Sequence, residues 1–206
     1  MIDFKLYLVT GRALCAGRAL ETVVAEACGA GVRAVQLREK DLSAAALHGL
    51  AMTMREVTRR TGSRLFLNDR ADIALGIGAD GVHCPEAGLP VRVARRVCPG
   101  ALVGASAHSL ERAVEADSSG ADFVLFGPVF PTPSKAKFGE PQGLDALAAV
   151  ASGVGVPVFA IGGVKPENAR LCLESGAAGV GVVSAILSAE DVPGAVEAFR
   201  RSLGGL

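Results

Sequence analysis

Four short stretches of this chain share one plan: GAGVRAVQL from Gly29, GADGVH from Gly78, GADFVLFG from Gly120 and GAAGVGVV from Gly176. In each, a Gly closes an Ala-rich amphipathic run. An Ala with small or polar residues turns the chain, and an apolar, β-rich run begins. Gly after a helical pattern marks a stop, and Val-, Leu- or Phe-rich runs after a turn mark a strand start. The four stretches precede the second, fourth, sixth and eighth apolar runs, so the chain divides into four βαβα quarters. Strands this apolar are buried on both faces, as in a parallel sheet covered by helices. Eight of them alternating with helices predict an α/β fold, a closed (β/α)8 TIM barrel. An open doubly wound sheet is the alternative, and it has to leave one or two of the runs unused.

The strands are expected in KLYLVT, AVQLR, RLFLN, GVH, LVGASA, FVLFG, VFAIGG and GVGVVS. Helices are expected over Leu20–Ala30, Ala44–Thr61, Val91–Val97, Leu110–Ser118, Asp145–Ser152, Pro166–Ser175 and Pro193–Leu203, with a shorter one at Ile73–Ile77. Pro166 and Pro193 suit first-turn positions. No composition break or linker interrupts the pattern, so residues 1–206 read as one domain.

Composition excludes several classes. Lys+Arg and Asp+Glu balance at 21 each, so nothing suggests a nucleic-acid partner. The five cysteines show no C-x-x-C pairing, which fits a reduced, intracellular protein. MIDFKLYLVT lacks an apolar stretch of signal-peptide length, and no run of 18 apolar residues offers a membrane span. A cytoplasmic location is expected. The Ala-rich exterior can pack on a second copy as a homo-oligomer or simply pack inward; both stay open.

In such barrels chemistry sits where the strands end. Gln36, Arg38, Glu39, Lys40 and Asp41 cluster at the end of the second strand. Asn68, Asp69 and Arg70 follow the third, His83 the fourth, and Ser106 with His108 the fifth. The sixth feeds FVLFGPVFPTPSKAKFGEPQGL, a loop too long for a plain connector, with Thr132, Pro133, Ser134 and Lys135 in it. Gly162-Gly163 and Val183-Ser184 close the seventh and eighth. Singly, each has a bland reading: a self-paired surface turn, an Asx turn, a helix cap, a tight turn. Their recurrence at one end of the barrel argues otherwise. Arg38, Lys40 and Lys135 supply cations. Asn68 supplies an amide, while Thr132, Ser134, Ser106 and Ser184 supply hydroxyls. Backbone N–H groups after the last two strands suit a phosphate. This is equipment for phosphorylated small molecules. Asp69 is the main exposed acid among them, placed to hold Mg²⁺ against a diphosphate.

These residues resemble the thiamine phosphate synthase family. The resemblance runs through YLVT (Tyr7–Thr10), VQLREK (Val35–Lys40), LNDRADIAL (Leu67–Leu75), ADGVH (Ala79–His83), GASAHS (Gly104–Ser109), GPVFPTPSK (Gly127–Lys135), PQGL (Pro141–Leu144), AIGGV (Ala160–Val164) and GVVSAI (Gly181–Ile186). It implies a (β/α)8 barrel that joins hydroxymethylpyrimidine diphosphate to hydroxyethylthiazole phosphate, with Mg²⁺ as cofactor. It also implies that Gln36, Arg38, Lys40, Asn68, Ser106 and Lys135 hold the pyrimidine diphosphate and that Asp69 binds Mg²⁺. Thr132, Pro133, Ser134, Gly162, Gly163, Val183 and Ser184 would hold the thiazole phosphate, and Glu39 lies among the binding residues. Lys135, Arg38 and Lys40 are the expected catalytic cations. A β-branched side chain at Gly163 is expected to obstruct the phosphate.

The chain departs from the family at HCPEAGLP (His83–Pro90), where Gly88 stands in place of a second acid. Glu86 lies two residues earlier, and an Asp restored at 88 is expected to add a metal ligand. A related thiazole tautomerase shares the barrel, and HSLERAVEAD (His108–Asp117) looks somewhat like it. That family carries a proton-transferring His where this chain has Pro128. A tautomerase-like enzyme and a non-catalytic binder of the same phosphates remain the alternatives.

Overall fold

The computed structural model describes residues 2–132 and 140–204. Eight strands run in chain order: β1 Leu6–Val9, β2 Ala34–Leu37, β3 Arg64–Asn68, β4 Gly81–Cys84, β5 Leu102–Ala107, β6 Phe123–Phe126, β7 Val158–Ile161 and β8 Gly179–Val182. Each pairs in parallel with its sequence neighbours, and β8 returns to β1 through Leu6–Val180 and Leu8–Val182. The sheet is a closed barrel, so all eight expected strands are used and the open sheet is excluded.

The helices form the outer ring: α1 Leu20–Gly29, α2 Ala44–Thr61, α3 Ala71–Ile77, α4 Val91–Val97, α5 Leu110–Ser118, α6 Gly143–Gly153, α7 Pro166–Glu174, α8 Ser184–Leu187 and α9 Val192–Ser202. Their ends follow local chemistry. Ser43 and Asp191 accept backbone N–H bonds at the starts of α2 and α9, from Ala46 and Gly194. Gly62 closes α2 at φ +66°. Two short elements escaped the sequence pattern, α8 and a 3₁₀ turn at Arg12–Leu14. Neither is long enough to display a period.

Half of the repeated plan has a structural purpose beyond turning the chain. Asp80, before β4, accepts from Leu65 N at 2.8 Å and pairs with Arg55 of α2 at 2.6 Å. Asp122, before β6, accepts from Val103 N at 2.7 Å and pairs with Arg95 of α4. In both places a carboxylate takes the N–H of a strand's second residue and ties the strand to the helix packed outside.

Two cores result. One lies between sheet and helices, built of Val, Leu, Ile and Ala. The other fills the barrel's lower interior with Phe4, Tyr7, Phe66, Phe123 and Phe159. Tyr7 meets Phe66 at 5.4 Å and Phe123 at 5.3 Å between ring centroids, edge to face. Glycines on neighbouring strands make room. A Cβ on Gly81 would lie 2.4 Å from the Phe66 ring, and one on Gly104 would lie 2.4 Å from the Phe123 ring. Large rings opposite glycines explain why so many inward positions carry no side chain at all. All five cysteines are buried. Among the described residues no helix is long and apolar enough to cross a membrane.

Candidate active site at the carboxyl ends of the strands

Above the aromatic layer the inward positions turn polar. Gln36 on β2, Asn68 on β3, His83 on β4 and Ser106 on β5 occupy neighbouring strands, and register pairs Asn68 with His83. Arg38 lies one residue past the end of β2, near enough to His83 for its charge to act on it. Gln36 and His83 are each 1% exposed, and Tyr7 below them is fully buried.

These groups are linked. Gln36 Nε2 donates to Tyr7 Oη at 3.3 Å. Tyr7 Oη lies 3.4 Å from His83 Nδ1, and His83 Nε2 lies 2.9 Å from Ser106 Oγ. Burial pushes the Tyr7 phenol up and pushes His83 down to about 3, the latter helped by the nearby Arg38 cation. His83 is therefore neutral across the physiological range. The sequence places Tyr7, the chain's single tyrosine, in an apolar strand and in the YLVT motif, and neither points to these partners.

The end of β2 is locked to the end of β1. Thr10 Oγ1 donates to Glu39 Oε1 at 2.7 Å and accepts from Arg38 N at 2.9 Å. Glu39 also takes the Arg12 N–H at 3.1 Å and its guanidinium at 3.3 Å, and Arg12 reaches on to Asp41. The Glu39 carboxylate, expected among the binding residues, is thus occupied by the protein's own donors and holds the backbone that carries Arg38. Arg38 and Lys40 present no hydrogen bond or ion pair of their own side chains among the described residues. Other partly buried arginines do: Arg18 bonds carbonyls, Arg55, Arg64, Arg70 and Arg95 pair with acids. Arg38 is half-buried with its guanidinium unanswered among the described residues.

Asp69 sits just past β3 at φ +61°, a conformation that L residues adopt at a cost of about 1–3 kcal/mol. Its N–H bonds His83 O at 2.9 Å, and its Oδ1 accepts from Leu89 N at 2.6 Å. The backbone bond to β4 and the Leu89 N–H fix this carboxylate against the loop after β4. The loop after β4 lies against it: a Cβ on Gly88 would be 2.4 Å from Asp69 Oδ1 and 2.6 Å from Pro85 Cγ. This corrects the expectation that an Asp at 88 simply adds a ligand. Any side chain there first displaces Asp69. Nor does Glu86 substitute. Its carboxylate accepts from His108 N at 2.9 Å and lies 3.7 Å from Arg112 Nε. Among the described residues no group of three or more His, Cys, Asp or Glu gathers. One carboxylate is a sufficient protein share for Mg²⁺, which keeps waters and takes phosphate oxygens.

The β6 loop is rooted on β7. Val129 N donates to Ile161 O at 2.9 Å and Phe130 N to Gly162 O at 3.0 Å. On the returning side Gln142 N reaches Pro128 O at 2.8 Å and Gly143 N reaches Val129 O at 3.1 Å. The peptide Gly127-Pro128 is cis. Half-buried Thr132 belongs to this base; Pro133, Ser134 and Lys135 lie outside the described residues. Gly163, at φ +66°, abuts the same base, since its Cβ would fall 2.6 Å from Pro131 O and 2.7 Å from Phe130 Cβ. The expected obstruction of a phosphate by a side chain here is therefore preceded by a collision with the loop. After β8, Val183 leads into α8, which starts at exposed Ser184.

The structure thus gathers Gln36, Arg38, Lys40, Asn68, Asp69, Ser106, Gly162, Gly163, Val183 and Ser184 at the carboxyl ends of the strands. The sequence model described as Thiamine monophosphate synthase matches residues 6–186. The chain belongs to that family. It is 53% identical over 191 residues to a putative thiamine-phosphate synthase of Geobacter sulfurreducens, covering 92% of this chain and 90% of the relative. With the thiamine-phosphate synthase of Chloroflexus aurantiacus it shares 41% over 200 residues, 97% of this chain and 93% of the relative. The solved thiamine phosphate pyrophosphorylase from Pyrococcus furiosus superposes with a TM-score of 0.89 at 38% identity, covering 97% of this chain and 95% of that one.

Proposed function

We propose that this family member is a thiamine-phosphate synthase, joining hydroxymethylpyrimidine diphosphate to hydroxyethylthiazole phosphate with release of pyrophosphate. The observation that carries the reading is Arg38: a half-buried guanidinium at the barrel mouth with no acid beside it among the described residues, while comparable arginines are paired. A cation left so is matched by an anionic ligand. Arg38 and Lys40, with Asn68 and Lys135, hold the diphosphate. Asp69 would hold Mg²⁺, which supplies further positive charge to diphosphate oxygens when bound. Gly162, Gly163, Val183 and Ser184, with Thr132, Pro133 and Ser134, hold the thiazole phosphate after the seventh and eighth strands, where barrels commonly bind phosphate.

The bond between the pyrimidine methylene and the diphosphate oxygen breaks, and its electron pair leaves with the diphosphate. The aminopyrimidine ring delocalises the methylene cation. The thiazole nitrogen lone pair then forms the C–N bond and gives a thiazolium. No proton is lost, so no general base is required. This agrees with a site whose buried His83 is too weak a base at about 3. The work left to the protein is alignment and fixed positive charge where negative charge develops.

The test is to incubate the protein with both phosphorylated substrates and Mg²⁺ and follow pyrophosphate and thiamine phosphate. Both should appear in equal amounts. Binding of the thiazole phosphate without pyrophosphate release would overturn the synthase reading in favour of a tautomerase-like enzyme or a binder.

A further inference from the structure

The chain Gln36–Tyr7–His83–Ser106 has a direction, and its direction is a specificity device. The Tyr7 hydroxyl is fully buried, with Gln36 Nε2 at 3.3 Å and His83 Nδ1 at 3.4 Å as its polar neighbours. A buried hydroxyl uses the partners it has. Tyr7 has one proton to give. Because Gln36 Nε2 carries only donors, Tyr7 accepts from Gln36 and donates to His83 Nδ1. A neutral imidazole with Nδ1 accepting carries its proton on Nε2. That proton goes to Ser106 Oγ at 2.9 Å. Two groups then remain for a ligand, the Gln36 Oε1 lone pairs and the Ser106 O–H. Turning the Gln36 amide over would reverse every bond in the chain. The present sense is favoured because it leaves the Gln36 Oε1 acceptor free beside the Arg38 cation that already acts on His83.

We infer that Tyr7 and His83 are positioning residues that fix Gln36 as an acceptor and Ser106 as a donor at the barrel mouth. Such a pair fits a heteroaromatic edge with an amino N–H beside an unprotonated ring nitrogen, and it rejects an edge of the opposite pattern. On the synthase reading, on which this ligand assignment rests, that edge belongs to the aminopyrimidine rather than to the thiazole.

The device can be read without substrate. In ¹⁵N-labelled, ligand-free protein, two-bond proton–nitrogen correlations should show His83 as the neutral Nε2–H tautomer, its signals identified by their loss in His83→Gln. A His83 in the Nδ1–H tautomer overturns the inference. Tyr7→Phe keeps the ring and removes the link. It should leave His83 as a mixture of tautomers and raise the pyrimidine diphosphate KM by up to about tenfold, the worth of a neutral hydrogen bond. The thiazole phosphate KM should stay within about twofold, since no stacking or charge near it changes. An equal rise for both substrates would mean general damage and overturn the positioning role. Absence of turnover in the parent with the Nε2–H tautomer in place would count against the synthase reading alone.

Discussion

The two halves of the barrel interior are lined by the same eight strands and obey the same alternation, yet they are built oppositely. Below, five aromatic rings pack together, mostly edge to face, against glycines. Above, Gln36, Asn68, His83 and Ser106 face the mouth, and Arg38 stands beside them with no acid paired to it among the described residues. The lower half lowers the free energy of the fold. The upper half holds the Arg38 cation and the positive φ of Asp69. Tyr7 belongs to both, its ring in the lower layer and its hydroxyl in the upper.

The sharpest separation of the two should come from Phe123→Ala. The ring touches Tyr7, Phe66, Phe159 and Phe4, so its removal should destabilise by about 3–5 kcal/mol, read from denaturant midpoints. A shift under about 1 kcal/mol would mean that the lower layer is not the stabilising one. Arg38→Ala should do the reverse. Turnover should fall by about 10²–10³ while the unfolding midpoint holds or rises, since no internal partner is lost. A variant that keeps near-parental turnover would remove Arg38 from the site.

A third outcome concerns acid. The folded value of His83, about 3, lies below its ordinary 6.5 because burial disfavours the charged form. Below 6.5 the unfolded chain takes a proton that the native one refuses. The stability present above 6.5 should therefore drain away as pH falls toward 3, by about 1.4 kcal/mol per unit. His83→Gln should flatten that slope; an unchanged slope would place the acid sensitivity elsewhere. The smallest effect is expected from Gly88→Ala. Its methyl would press on the Asp69 carboxylate, so the Mg²⁺ concentration for half-maximal rate should rise a few-fold without loss of fold. A fall in that concentration would show that Asp69 is better placed when pushed.

The lower half was the more legible from sequence. Apolar runs and the glycine stops before them gave all eight strands, because period and composition are local properties. The positions of the polar residues at strand ends were legible for the same reason. Their partnerships were not. Tyr7 finds Gln36 and His83 across 29 and 76 residues, and Glu39 finds Thr10 and Arg12 across 29 and 27. Such pairs depend on barrel register, which no single run reveals. Glu39, expected among the binding residues, serves as a brace between the ends of β1 and β2 through such pairs. Gly88 looked like a missing acid when its Cβ position is already filled by Asp69.

The root of the β6 loop has a consequence for how this protein can change. Pro128–Phe130 and Gln142–Gly143 are fastened to each other and to β7 by backbone bonds that ask nothing of the side chains between. The ends stay together whatever is strung across them, and each doubling of such a span costs only about 0.6 kcal/mol. That root is thus a fixed socket for the chain that joins its two ends. Changes of length between those ends, by evolution or by hand, should leave the barrel beneath in its register.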